Sequence, residues 1–280
     1  MFQRATKKQA KARIGLIGPS GSGKTYTALM LATNMGKKIA LIDTEHGSAS
    51  KYADKFSFDV LELANYHPQN YIDGIKNAET AGYDVLIVDS LSHAWSGTGG
   101  ILDIVDTATA KSRSGNAFTT GWREATPIHN DLIDTILSAK LHLIATMRSK
   151  TEYVLEDDGK GGKRPRKVGM APVQRDGMEY EFDIVGDMDQ QHNFIISKTR
   201  CEALDGAVIN KPGVELAAQI MEWLSDGEKV DPVQTEINRL RKELKMTDGK
   251  SPLWQQVLAK AGDDLEKQLT ALQYIKEKTA

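Results

Sequence analysis

The chain is nearly devoid of cysteine. Cys201 is the only one in 280 residues, so no intramolecular disulfide can form and a reducing compartment is expected. The 6 histidines are scattered and show no metal-ligand spacing. No apolar run is long enough to span a bilayer. The basic stretch Met1 to Arg13, with Arg4, Lys7, Lys8, Lys11 and Arg13, lacks the apolar centre of a signal peptide. A cytoplasmic protein without a membrane partner is therefore expected. Neither sign of charge dominates. The net charge of −2 announces no nucleic-acid binder at the level of the whole chain, so any such contact has to come from local patches. There is no internal repeat of useful period. A composition of 40% hydrophobic and 26% charged residues is that of an ordinary globular protein.

What the chain does have is Gly18-Pro19-Ser20-Gly21-Ser22-Gly23-Lys24-Thr25, which fits G-x-x-x-x-G-K-[ST]. The apolar run Ile14–Ile17 before it reads as a buried strand, and the stretch from Tyr26 to Met35 reads as a helix. Glycines let the backbone close around phosphate oxygens, and the N–H groups of a helix start point at the anion. Lys24 can reach the β- and γ-phosphates of ATP, Thr25 can ligate Mg²⁺, and Tyr26 follows at the mouth of the loop. Asp84-Val85-Leu86-Ile87-Val88-Asp89-Ser90 supplies a second signature, an apolar strand ending in a carboxylate that can hold Mg²⁺. Ile39 to His46 is a further strand, running into the acidic turn Asp43-Thr44-Glu45-His46, with Tyr52 seven residues beyond Glu45.

The apolar runs Ile14–Ile17, Lys38–Asp43, Val85–Asp89 and Leu141–Met147 alternate with helical stretches at Lys24–Met35, Gln69–Ala81 and Pro127–Ala139. This alternation predicts an α/β fold, doubly wound around a mainly parallel sheet, with the ligand at the carboxyl ends of the strands. Tyr153–Leu155, Lys167–Met170, Phe182–Asp187 and Asn193–Ser197 read as shorter strands of an antiparallel extension, with Gly159–Lys163 as a hairpin tip. Gly213–Leu224 reads as an amphipathic helix and Ser225–Glu228 as a linker. Val233, Ile237, Leu240 and Leu244, the pair Ser251-Pro252, and Leu265, Leu269, Leu272 and Ile275 predict a helical appendage. The expected organisation is a basic tail over residues 1–12, a core over 13–225 and an appendage over 229–280.

The acidic turn with its tyrosine, together with Asp89-Ser90, resembles the core of RecA-type recombinases. That resemblance implies that Glu45 orients the attacking water and Tyr52 stacks on adenine. It places Thr146 at the γ-phosphate sensor position. The family usually has Gln there, and Arg148 or Lys150 can share the task. Asn193 to Arg200, ending in Lys198-Thr199-Arg200, is similar to the motif with which such proteins reach the phosphates of a neighbouring subunit. The homo-oligomer, ring or filament, follows from the same likeness. The segments Thr146–Tyr153, Lys163–Gly169 and Pro172–Gly177 look like phage ATPases reduced to this core and grouped with single-strand annealing proteins.

Between Gly159 and Arg175 the chain carries Lys160, Lys163, Arg164, Arg166, Lys167 and Arg175 and no acidic residue. Such a loop suits sequence-independent contact with the phosphates of single-stranded DNA. The Gly-, Ser- and Thr-rich stretch Ser96–Arg123, with Lys111, Arg113, Trp122 and Arg123, is a second candidate; Trp122 reads equally as a base-stacking or a core residue. The expectation is a DNA-dependent ATPase of phage homologous recombination, acting by annealing or strand exchange, with a single-strand-binding protein as a further partner. The alternatives are a P-loop small-molecule kinase and a nucleotide-switched scaffold that binds a protein through its last helices.

Overall fold

A computed structural model of the chain describes residues 6–7, 9–112, 116–157, 163–227, 232–246 and 251–279. It divides into two compact units, Ala10–Leu224 and a smaller one made of Met1–Gln9 with Ser225–Ala280.

The larger unit is built on one sheet. Its strands are β1 (Arg13–Gly18), β2 (Ile39–Asp43), β3 (Asp59–Glu62), β4 (Val85–Asp89), β5 (His142–Asp157), β6 (Lys163–Pro172), β7 (Ile184–Met188), β8 (Asn193–Thr199) and β9 (Val208–Asn210). They lie in the order β3-β2-β4-β5-β1-β7-β8-β9, with β6 paired to β5 off this path. From β3 to β7 every neighbouring pair is parallel. The pairs β7–β8, β8–β9 and β5–β6 are antiparallel.

The central strands are apolar throughout because both faces are covered. Alternate residues serve opposite cores. Ile14, Leu41, Ile87 and Ile144 pack in one cluster, with the helices α1 (Lys24–Met35) and α6 (Val214–Ser225). Ile42, Leu86, Val88, Leu143 and Ala145 pack in the other, with α2 (Pro68–Thr80) and α5 (Trp122–Ser138). The carboxyl end of α5 is held by buried Arg13, which donates to the carbonyls of Ile136, Leu137 and Ala139. A cation there complements the helix dipole.

The expected α/β architecture is what the structure has, and four local readings need correction. Phe182–Asp187 was expected in an antiparallel strand, but β7 runs parallel to β1, with Ile184 opposite Ile14 and Asp187 opposite Ile17. Tyr153–Leu155 is no separate strand; it continues β5 beyond the core. Ser96–Arg123 is no open loop. It holds the whole of α4 (Ile101–Lys111), after the short helix α3 (Ser92–Ser96), and the start of α5. Ile101 and Val105 of α4 are buried with Ala125, and Trp122 packs on that cluster. Periodicity was diluted there by glycine, serine and threonine. Lastly, Pro127 lies inside α5 rather than at its start. The strands β3 and β9, at the two ends of the sheet path, went unpredicted because short, solvent-facing segments carry no apolar run. The hairpin tip at 159–162 and Lys160 lie outside the described residues.

The smaller unit contains α7 (Pro232–Glu243), α8 (Pro252–Ala261) and α9 (Leu265–Thr279). Ile237, Leu240, Trp254, Val257 and Leu272 form its core. Ser251 precedes α8 as its N-cap residue and Pro252 occupies the first turn, where a missing N–H costs nothing.

Candidate active site

The parallel strands bring their carboxyl ends to one edge of the sheet. Gly18 stands opposite Arg148 across β1 and β5, and Asp43 stands opposite Asp89 across β2 and β4. A cavity of about 1040 Å³ opens there. Its walls include Pro19, Ser20, Gly21, Gly23, Lys24, Thr25, Tyr26, Glu45, Tyr52, Asp89 and Arg148. Residues from four separate segments of the sequence thus converge on one volume.

The loop between β1 and α1 takes its shape from its glycines. Gly21 and Gly23 have φ of +80° and +89°, which side chains with a Cβ rarely adopt. A Cβ on Gly18 would lie 2.6 Å from the Met188 carbonyl oxygen and 2.7 Å from Ser22 Oγ. The Lys24 ammonium turns back on the loop, donating to the carbonyls of Gly18 and Pro19 at 2.8 Å each. Burial holds the Lys24 pKa below the usual lysine range, partly offset by Asp89 and Glu45.

Asp89 is the buried hub. Its Oδ2 accepts from Thr25 Oγ1 at 2.6 Å and its Oδ1 from Thr146 Oγ1 at 2.5 Å. Burial pushes its pKa up; the two threonine hydroxyls oppose that, while Glu45 and Asp43 reinforce it. Thr146 is fully buried and is spent on Asp89; it does not line the cavity. The β5 residues that do line the cavity are Arg148 and Ser149.

Glu45 is placed by the turn after β2. Asp43 Oδ1 accepts the Glu45 N–H at 2.6 Å, which bends the chain out of the strand. The preceding Thr44 Oγ1 accepts from the Ser90 N–H at 2.7 Å and meets His93 Nδ1 at 2.6 Å. This ties the end of β2 to the end of β4. The Glu45 carboxylate is gripped by Arg148 through both of its oxygens, at 3.0 and 2.5 Å. Tyr26 and Tyr52 form an aromatic wall, edge to face with centroids 5.7 Å apart, and Phe56 backs Tyr26 at 5.3 Å.

The cavity also has a wall that the sequence did not announce. His192, at φ 64°, sets its Nδ1 3.1 Å from the Ser22 carbonyl, and its own carbonyl accepts the N–H of Lys211. Lys211, Pro212 and Gly213 continue this wall. These residues lie in turns after β7 and β9. No local pattern says which strand lies beside β1, so nothing in the sequence tied those turns to the phosphate loop.

Lys198 and Arg200 are not in the cavity. In the β7–β8 pair Lys198 stands opposite Val185 and Thr199 opposite Ile184, at the sheet end away from the phosphate loop. Lys198 donates to the carbonyls of Tyr180 and Phe182, and burial lowers its pKa. Arg200 pairs with Asp183 at 2.5 Å. Lys163, Arg164, Arg166 and Lys167 lie along β6, in the ribbon it forms with β5. Arg175 follows the ribbon, its guanidinium 6.0 Å from the Trp122 ring centre.

A loop cradle with a lysine, a threonine hydroxyl paired to a strand-end carboxylate and a second carboxylate nearby is the equipment of a nucleotide-hydrolysing site. The profile of the AAA domain family matches residues 10–207. The chain belongs to the AAA domain family. No curated protein matches it. As a P-loop ATPase of the AAA domain family it has a site for a nucleotide and, as is usual for such sites, Mg²⁺. The residues present fit both. The cavity has the volume for a nucleoside triphosphate, the cradle is kept free of Cβ atoms at Gly21 and Gly23, and Thr25 and Asp89 offer adjacent hard oxygens. Among the described residues no helix is long and apolar enough to cross a membrane.

Proposed function

We propose that this P-loop ATPase is switched by single-stranded DNA and serves phage homologous recombination, by annealing or strand exchange, in the manner of a RecA-type core. One observation carries the reading: β5 is a single 16-residue strand that starts in the core sheet, passes the nucleotide cavity at Arg148 and runs on into the β5–β6 ribbon. The ribbon's return strand bears Lys163, Arg164, Arg166 and Lys167. A ligand on the ribbon therefore pulls on the same strand that borders the cavity.

In the proposed reaction Lys24 and the loop N–H groups hold the phosphates of ATP. Thr25 and Asp89 hold Mg²⁺, which when bound neutralises charge developing on the phosphate oxygens. Glu45 takes a proton from water as the water oxygen attacks the γ-phosphorus and ADP leaves. Tyr52 packs on the base, beside Tyr26. Lys198 and Arg200, remote from the cavity of their own chain, act on the neighbour's phosphates in a ring or filament. A single-strand-binding protein is the natural further partner on the DNA.

The test is the rate of ATP hydrolysis with and without single-stranded DNA, with Lys24→Ala as the blank. Stimulation by the single strand, absent in the blank, is expected. A rate indifferent to DNA defeats the DNA reading while leaving the ATPase in place.

A further inference from the structure

Glu45 is engaged where a hydrolytic base needs to be free. Its Oε1 accepts from Arg148 Nε at 3.0 Å and its Oε2 from Arg148 Nη2 at 2.5 Å. A guanidinium fork of this kind fixes the plane of a carboxylate and occupies a lone pair on each oxygen. A general base has to turn a lone pair toward the water it deprotonates. In this arrangement Glu45 faces Arg148 instead.

Arg148 stands where β5 changes its role. It is the last residue of β5 paired with β1, through Gly18, and Ser149 is the first paired with β6, through Pro172. Its backbone is pinned on both sides. The N–H donates to Ser92 Oγ at 2.9 Å, and the carbonyl accepts from Val173 N–H at 2.7 Å. Val173 directly follows β6. A displacement of the ribbon therefore reaches the Arg148 backbone through two strands, and its side chain ends on Glu45. The pair is half open to solvent, with side-chain exposures of 50% and 26%. It is a contact that can be exchanged, not a buried structural bridge.

We infer that Arg148 is a positioning residue that latches Glu45 away from the attacking water until a polyanion loads the β5–β6 ribbon. The inference rests on the reading of Glu45 as the base and adds the means by which the ribbon controls it. The unloaded enzyme idles because its base is paired. Loading shifts the end of β5, the fork lets go and Glu45 turns to the water.

The experiment compares ATP turnover of the full chain and of Arg148→Gln, Arg148→Lys and Glu45→Gln, each with and without oligothymidylate. Without oligothymidylate, Arg148→Gln is expected to turn over roughly two- to fivefold faster than the native chain at unchanged KM, the scale of one exposed ion pair. Arg148→Lys, which keeps the charge but not the fork, falls between them. Oligothymidylate stimulates both variants less than the native chain. Melting temperature and ADP affinity confirm that each variant is folded; should Arg148→Gln not fold, Arg148→Lys carries the comparison. A folded Arg148 variant that is no faster than the native chain overturns the latch. If Glu45→Gln is inactive in that same series, the base assignment stands and only the latch falls. If Glu45→Gln keeps full turnover, the base assignment and the latch fall together. Faster basal turnover in Arg148→Gln with no response of any chain to oligothymidylate supports the latch and removes only DNA as its trigger.

Discussion

Individual side chains decide whether the cavity can do chemistry. Glu45 sits on the cavity wall without being needed by the phosphate cradle, so binding and turnover separate there. Glu45→Gln should keep nucleotide affinity and lose roughly 10²-fold in turnover, the usual scale for loss of a general base. Titration with a fluorescent nucleotide beside a steady-state rate checks both; parallel losses would make Glu45 a structural residue. Asp89 behaves differently because it is buried. Its pKa in the folded state lies above the unfolded value, so the folded state holds the proton more tightly. The stability Asp89 contributes is therefore present below the ordinary carboxylate range and is lost as pH rises through the raised value. At neutral pH the ionised carboxylate is a cost in the metal-free protein. Asp89→Asn should thus melt higher than the native chain at pH 7, by roughly 2–4 °C for each kcal/mol relieved, with the gap closing toward pH 4. Mg²⁺-dependent hydrolysis should vanish in the same variant. A lower melting temperature at pH 7 would mean that the hydrogen bonds from Thr25 and Thr146 outweigh the burial.

Among the elements, the β5–β6 ribbon has a charge pattern that its return strand alone conceals. Between Ser149 and Pro172 there are 6 basic residues, but also Glu152, Glu156, Asp157 and Asp158. The register sets Glu156 opposite Arg164 and Asp157 opposite Lys163, whereas Arg166 and Lys167 stand opposite Val154 and Tyr153. Unlike charges at opposed register positions lower the net charge of that part of the ribbon. On the proposed single-strand contact, replacing Arg166 and Lys167 by serine should therefore weaken binding more than replacing Lys163 and Arg164. Each lost phosphate contact should lower the log–log salt slope by about 0.7. Affinity measured against salt for the two double variants is the check, and equal losses would remove the role of register. The segment Ser96–Arg123 changed character on folding for a related reason. Its glycines and threonines read as a loop, yet Ile101, Val105 and Ala108 give α4 a buried face. Trp122 then packs against Trp95, with ring centres 5.8 Å apart.

For the molecule as a whole, the placement of Lys198 and Arg200 bears on whether one chain makes a complete site. Lys198 and Arg200 lie at the sheet end away from the phosphate loop, bound to carbonyls and to Asp183. In the proposed ring or filament, the nucleotide phosphates they reach are a neighbour's. Mixing Lys198→Ala chains with Lys24→Ala chains should then restore some ATPase, because some neighbours pair an intact loop with an intact lysine. The rate of the mixture against each variant alone is the measure. No recovery, where mixed oligomers are shown to form, would leave Lys198 as an anchor within its own sheet.

The phosphate loop, the strand-end Asp89, the acidic turn at Glu45 and the parallel core were all legible in the sequence. Each of these is written in contiguous residues: glycines where φ must be positive, or apolar runs where both faces of a strand are covered. The helix after the loop was legible as well, ending at Met35 as read. Tertiary packing sets β7 parallel beside β1, which brings His192 and Lys211 to the phosphate loop. It also decides that Thr146 is spent on Asp89 and that Arg148 grips Glu45. Those are contacts between residues roughly 60 to 170 positions apart in the chain. Local propensity carries no information about them, because strand order and register are settled by packing of the whole sheet rather than by any one segment.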